Sequence, residues 1–387
     1  MGNFRFDRME AAGSLGNLGT LLPLAVGMIV LNGLSATNVF LLVGLFSILS
    51  GVYFRIPAAV EPMKAIGAYA IAVGLSPLEI QAACLWMGGI LLLLGGTGFI
   101  QVIQRLTPKS AIRGVQLVVG VVLLTKGLAL IVEPDVHMRL RDVLGVPLGP
   151  LIGALGLIVT LLLLDNRRVP AAMVVLILGI GLGLLVGKPF EAGVASGAPV
   201  FALGPYGWPS PDVFWWVLPV LVLPQLPVTV GNAILSNVEL SHEYFPEKSG
   251  RVTNRSVSIS MGLANCAAFL LGGMPMCHGA GGLAAHYRFG ARTAGSNIII
   301  GGTFVVLALS LREKLLGVLN LIPDAMLGVL LVFAGIQLAL MIRDLVDRRD
   351  LFVALFMLGL GLVLNLAVAF LAGVAVAHLV RLRSIEV

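Results

Sequence analysis

Apolar residues run in long blocks along this chain, separated by short clusters that hold nearly all of its charges, and the block lengths predict membrane-crossing helices. No Asp, Glu, Lys or Arg occurs between Ala11 and Phe54. About 20 apolar residues cross a bilayer as a helix, so this interval predicts two helices, broken near Asn32-Gly33. Further charge-free intervals cover 80–104, 143–164, 169–187, 213–238, 256–287, 293–311, 325–342 and 351–380. The stretch 115–132 carries only Lys126, near an end where a lysine reaches the interface. The interval 351–380 is long enough for two short helices turned at Gly359, Gly361 and Asn365. Two segments are interrupted: 57–74 opens Pro-Ala-Ala-Val-Glu-Pro-Met-Lys and 275–290 opens Pro-Met-Cys-His-Gly-Ala-Gly-Gly. Counting them predicts an all-α membrane protein of fourteen transmembrane segments, with the third and tenth discontinuous.

Composition narrows the class. Of 387 residues 11% are charged and 58% hydrophobic, with 48 glycines, whereas a soluble domain carries roughly 25% charged residues. That argues against a water-soluble enzyme and for helices packed closely in lipid through small residues. Cys84, Cys266 and Cys277 lie in apolar stretches without CxxC spacing, so neither a disulfide scaffold nor structural zinc is expected. No metal or cofactor is expected either. The net charge of +6 is not gathered into a basic cluster interleaved with aromatics, so nucleic acid is not an expected partner. It reads instead as a topology signal. Eighteen of the 25 Lys and Arg, among them Arg113, Arg167, Arg168, Arg343, Arg381 and Arg383, fall on the side of the two termini. Five, including Lys188, fall on the other side, and Lys64 and Lys126 fall within spans. Short cytoplasmic loops carry the excess of basic residues, which places both termini in the cytoplasm and the chain in the inner (plasma) membrane. The N-terminus shows no cleavable signal.

The chain also repeats itself. Leu22-Pro23 with Val26-Gly27 is echoed by Leu226-Pro227 with Val230-Gly231; Gly44-Leu45 and Pro57 by Gly262-Leu263 and Pro275; Leu106, Pro108 and Gly120 by Leu321, Pro323 and Gly335. The halves are 1–212 and 213–387. Seven crossings per half is odd, so the second half sits upside down, the inverted-repeat plan of secondary transporters. Pro57 and Pro275 suit extended stretches that precede half-helices.

Two half-helices starting near the midplane aim free N–H groups and about half a positive charge each at one cavity, which suits an anion. Gly279, Gly281 and Gly282 allow close backbone approach. Glu61 and Lys64 are ionisable groups deep in the membrane, where a functional role is the default, and their spacing puts them on one face of a helix. The bland reading is a structural ion pair. His278 is a candidate oxyanion donor or proton relay, against a packing role. Gln225, Thr229 and Asn232 in the eighth crossing and Asn17 and Thr20 in the first are candidate donors, or helix-to-helix contacts. His137, His242, His286 and His378 fall near predicted ends or loops and are given no role. Gly179, Gly181 and Gly183 lack the strand context of a dinucleotide site.

The stretches Leu15-Gly-Asn-Leu-Gly-Thr20, Ile56-Pro-Ala-Ala-Val-Glu-Pro-Met-Lys64, Leu223-Pro-Gln-Leu-Pro227 and Met274-Pro-Met-Cys-His-Gly-Ala-Gly-Gly-Leu283 through Tyr287-Arg-Phe-Gly-Ala-Arg292 resemble the molybdate transporter family, a branch of the sulfate permease superfamily. The resemblance implies the seven-plus-seven fold shared with uracil permeases, with a core domain from segments 1–4 and 8–11 and a gate domain from segments 5–7 and 12–14. It implies alternating access around an oxyanion held by Glu61, Pro62, Met63, Lys64, Cys277, His278, Gly279, Ala280 and Gly281 together with the polar residues above. The family often has Asp where Asn17 stands and Gln where Glu61 stands. The chain shows no STAS domain, in keeping with the molybdate branch. Molybdate is the leading substrate; sulfate, tungstate, bicarbonate, a nucleobase, or an anion channel are the alternatives. An enzyme is disfavoured because His278 and His286 alone make no catalytic constellation. Glu61 and His278 are the candidates for proton coupling, and a homodimer is left open.

Overall fold

The computed structural model of the chain describes residues 4–133, 135–164, 166, 169–188 and 202–382. Arg167, Arg168 and Arg383, and the side chain of Arg381, which enter the charge asymmetry, lie outside the described residues. Helices stand at all fourteen expected places. The first half holds α1 (Leu18–Val30), α2 (Ala36–Phe54), strand β1 (Val60–Pro62), α3 (Lys64–Val73), α4 (Pro77–Thr97), α5 (Lys109–Val132), α6 (Leu148–Leu163) and α7 (Ala171–Leu185). The second holds α8 (Pro211–Tyr244), α9 (Asn254–Leu271), strand β2 (Met276–His278), α10 (Ala280–Phe289), α11 (Gly295–Leu311), α12 (Asp324–Ala339), α13 (Arg348–Val363) and α14 (Leu366–Leu382). Short helices at Arg8–Ser14, Ile100–Leu106 and Lys314–Asn320 connect them. Among the described residues α2, α4, α5, α8 and, with its 3-10 continuation to Asp344, α12 are long and apolar enough to cross a membrane alone, and α1 passes the same test together with Arg8–Ser14, from which it is bent by 44°. The protein is an integral, multi-pass membrane protein.

The breaks follow local chemistry. At the first, Gly33 takes a φ of 75° and the Ser35 hydroxyl caps α2. Ser76 and Glu79 form a capping box at α4 with Pro77 in the first turn, where its missing N–H costs nothing. The late pair does turn, but at Leu364-Asn365. Gly359 and Gly361 stay inside α13, and Asn365 caps α14 through the Val368 N–H.

The two halves are related by a pseudo-two-fold axis, visible where equivalent residues meet. β1 pairs antiparallel with β2, and the central pair is Glu61 with Cys277. Both α3 and α10 end on a left-handed glycine, Gly74 and Gly290, in equivalent places. Away from this centre, α5 and α12 cross antiparallel at Gly120 and Gly335, so closely that a Cβ on Gly120 would come 2.7 Å from the Gly335 carbonyl oxygen and one on Gly335 2.6 Å from the Gly120 carbonyl oxygen. Helix α2 packs on α11, and α4 on α9, so each half clasps the other.

Buried asparagines hold the extended segments in place. Asn297 on α11 accepts from the Ala58 N–H and donates to the carbonyls of Ala58 and Ser47. Asn265 on α9 accepts from the Met276 N–H and donates to the carbonyls of Met276 and Met261. Ala58 and Met276 each follow the proline that opens their segment. In lipid no water replaces such bonds. We therefore expect Asn265→Ala and Asn297→Ala each to destabilise the protein by about 1–3 kcal/mol per orphaned backbone group, read as a lower Tm in detergent.

An ion cluster outside the spans ties the ends of α5, α7 and α12 together. Lys188 Nζ lies 2.9 Å from Asp135 Oδ2, 2.8 Å from the Ile322 carbonyl and 3.3 Å from Asp324 Oδ1. Burial alone would raise the Asp135 carboxyl. The Lys188 ammonium and the Asp324 and His137 amides outweigh it and hold the group below the usual carboxylate range. A carboxyl lowered by folding stabilises fully above its unfolded value, about 3.9, and that contribution fades as pH falls through the lower folded value. The Tm gap between wild type and Asp135→Asn should thus be full at neutral pH and shrink below about pH 4. Lys188→Met, which leaves a buried carboxylate uncompensated, should cost about 3–5 kcal/mol at neutral pH.

Candidate functional site

The strand-to-helix turns of β1–α3 and β2–α10 meet at the floor of a cavity of about 410 Å³. Its polar lining comprises Asn17, Thr20, Glu61, Lys64, Asn232, Gly281, Gly282 and Arg288 together with Gln116, Thr160, Asn166 and Gln337, with Pro23, Leu24, Phe289 and Phe333 among its apolar wall.

Glu61 and Lys64 pair, with Nζ 3.0 Å from Oε2. They do so without sharing a helix face: Glu61 sits on β1 and Lys64 is the first residue of α3, so the turn between strand and helix, rather than helical periodicity, brings them together. The Glu61 side chain is 1% exposed and that of Lys64 20%. The Thr20 hydroxyl lies 3.0 Å from both Glu61 Oε1 and the Asn17 carbonyl. The carboxyl also lies against Gly279 and Gly282, at the first turn of α10. That turn has free amides and a partial positive charge. The protein's own carboxylate therefore already leans on the helix end where an anion is expected, and Lys64 balances it.

The two half-helices are not equivalent. Gln225 Oε1 accepts from the N–H groups of Ala65 (2.8 Å) and Ile66 (3.2 Å), and its amide donates to Thr229 Oγ1 (2.8 Å). The N-terminus of α3 is thus capped from α8. Gln225 and Thr229 are each 1% exposed and stand behind the cavity rather than in its lining. Asn232 does reach it, from a π-helical stretch over Thr229–Ser236. Wide turns of that kind recur at functional sites, and here they follow Pro224 and Pro227 inside α8.

Of the other candidates, Asn17 lines the cavity but spends its amide on the Val60 carbonyl at 2.8 Å. Pro62 and Met63 form the turn, the Met63 N–H donating to the Pro275 carbonyl at 2.9 Å. Cys277, His278, Gly279 and Ala280 lie outside the lining. His278 is held on β2 with Nδ1 2.9 Å from the Ala59 carbonyl and Nε2 3.1 Å from Ser260 Oγ, against the rings of Phe46 and Phe54. His286, given no role from sequence, is 1% exposed on α10 with neither ring nitrogen hydrogen-bonded. Sequence reasoning missed Gln116, Thr160, Asn166, Gln337 and Arg288; a lone glutamine one turn past Arg113 in an apolar helix was the available signal.

A family model described as "Molybdate transporter of MFS superfamily" matches residues 9–123 and 218–338. The chain belongs to this molybdate transporter family. It is 30% identical to Molybdate transporter 1 of Arabidopsis thaliana over 96% of this chain and 87% of that one. Identity to Molybdate transporter 1 of Chlamydomonas reinhardtii is 31%, over 86% of this chain and 83% of that one. In fold it resembles the transmembrane domain of the cyanobacterial bicarbonate transporter BicA, with a TM-score of 0.67 at 17% identity, covering 96% and 97% of the two chains. It also resembles the murine anion transporter Slc26a9 in its inward-facing state, with a TM-score of 0.69 at 14% identity, covering 99% and 70%. The fold of this family member has its equivalent strands and helices antiparallel, as inverted repeats require, unlike the parallel halves of major facilitators.

Gly279 has a φ of −130°, so space rather than backbone conformation demands glycine there. Gly279→Ala should displace the Glu61 carboxyl from Thr20 or Lys64 and lower the Tm. Gly281→Ala, whose methyl meets nothing within 4 Å, should leave the Tm unchanged.

Proposed function

We propose that the chain is a secondary transporter of molybdate, working by alternating access about the central cavity. The observation that carries this reading is the first turn of α10, where Gly281 and Gly282 face the cavity beside Lys64. Backbone N–H groups, a helix terminus and one ammonium suit an oxyanion that only accepts hydrogen bonds. In this reading the elements through α4 together with α8–α11 form the moving core, and α5–α7 with α12–α14 form the gate. The cavity lining includes Arg288 and Met341, the latter near Arg343 in sequence, on the side that is cytoplasmic if the arginine-rich side faces the cytoplasm. Lys64, the α10 amides and Asn232 hold the anion, while Asn17, Thr20, Gln225 and Thr229 orient them.

Coupling is assigned to Glu61. An ionised Glu61 repels an arriving dianion, and a proton on it removes that repulsion and releases Lys64 to the substrate. The bonds and aromatic neighbours of His278 favour a positioning role for that residue.

Uptake of labelled molybdate into proteoliposomes should saturate and should be competed by tungstate. Uptake no greater than in empty liposomes refutes the reading, and competition by sulfate, bicarbonate or uracil but not tungstate reassigns the substrate. A flux that rises without saturation reassigns the protein as a channel. Glu61→Gln should flatten the pH dependence of uptake; an unchanged profile overturns the coupling role.

A further inference from the structure

Helix α5 carries a second fixed donor of the cavity lining. Gln116 lies in α5, is 5% exposed and lines the cavity. Its Oε1 accepts from Arg113 Nη1 at 2.9 Å, and the Arg113 guanidinium is paired with Asp344, just past α12. A guanidinium only donates, so this contact fixes which end of the amide is oxygen and leaves the Nε2 hydrogens for the cavity. Among the described residues no hydrogen bond uses that nitrogen.

An oxyanion takes donors and nothing else, and several polar groups of the lining are already spent. The Asn17 amide goes to Val60, and the Thr160 hydroxyl donates to the Gly156 carbonyl at 2.7 Å. The Thr20 hydroxyl sits between two acceptors of its own. Of the other lining amides, Asn166 is exposed and its Oδ1 accepts from the Val169 N–H at 3.2 Å, whereas Gln116 is buried in α5 with its oxygen held by a charged donor. Resting on the oxyanion reading above, we infer that Gln116 is a specificity-determining residue that donates to the bound oxyanion from α5. Arg113 is its positioning residue and Asp344 the anchor.

The test is the KM and Vmax of molybdate uptake by the full chain in proteoliposomes. Gln116→Glu keeps the size and the Arg113 contact but presents an acceptor to the cavity, and should raise KM at least tenfold. Gln116→Ala should raise it roughly tenfold, the loss of one hydrogen bond to a charged group, with Vmax near wild type. Arg113→Ala should also raise KM, and adding it to Gln116→Ala should add nothing further. A wild-type KM in either folded Gln116 variant overturns the proposal, as does a fall in Vmax at unchanged KM. If Gln116→Glu does not fold, Gln116→Ala decides. Failure of the wild-type chain to take up molybdate is instead a failure of the substrate reading, and the same variants are then compared with sulfate.

Discussion

Placing non-helical backbone at the centre of a bilayer is the constraint on which this structure depends. Every N–H and C=O there needs a protein partner, because lipid offers none. The three-residue pairing of β1 with β2 satisfies part of that demand. Asn297, Asn265 and Asn17 satisfy more of it by bonding backbone directly. Once those bonds are made, both half-helices must begin at the same depth, and the cavity floor follows.

The electrostatics are arranged around that floor. A helix N-terminus, an ammonium and a carboxylate lie within one turn of one another, and the carboxylate comes from the opposite repeat to the helix it touches. Removing any one of the three exposes the charge of the others to a poorly solvating environment. On the proposed reading, function and folding draw on the same contacts, and even a methyl group at Gly279 would crowd the Glu61 carboxylate.

Much of this was legible in the sequence, for physical reasons that can be named. Charge-free blocks mark helices because charge is costly in lipid, and Pro57 and Pro275 mark the discontinuous segments because proline excludes itself from helix interiors. The family was legible in the stretches flanking those prolines. The strands were not, since three residues are too few for an alternating pattern. Spacing alone placed Glu61 and Lys64 on a helix, where a strand and a turn bring them together instead. His278 looked like a ligand because it sits beside the glycines, yet its ring nitrogens meet Ala59 and Ser260. Gln116 escaped notice because a single amide in an apolar helix looks like any interhelical contact.

The Gln225 cap has a consequence for the symmetry of the site. An inverted repeat supplies two half-helix termini, and nothing in the symmetry prefers one. By lending its side-chain oxygen to Ala65 and Ile66, Gln225 occupies one terminus with a neutral dipole. The scaffold has two equivalent ends, but only that of α10 faces the cavity with its first-turn amides uncapped by a side chain. On the reading proposed above, the oxyanion is therefore held asymmetrically, by one repeat more than by the other.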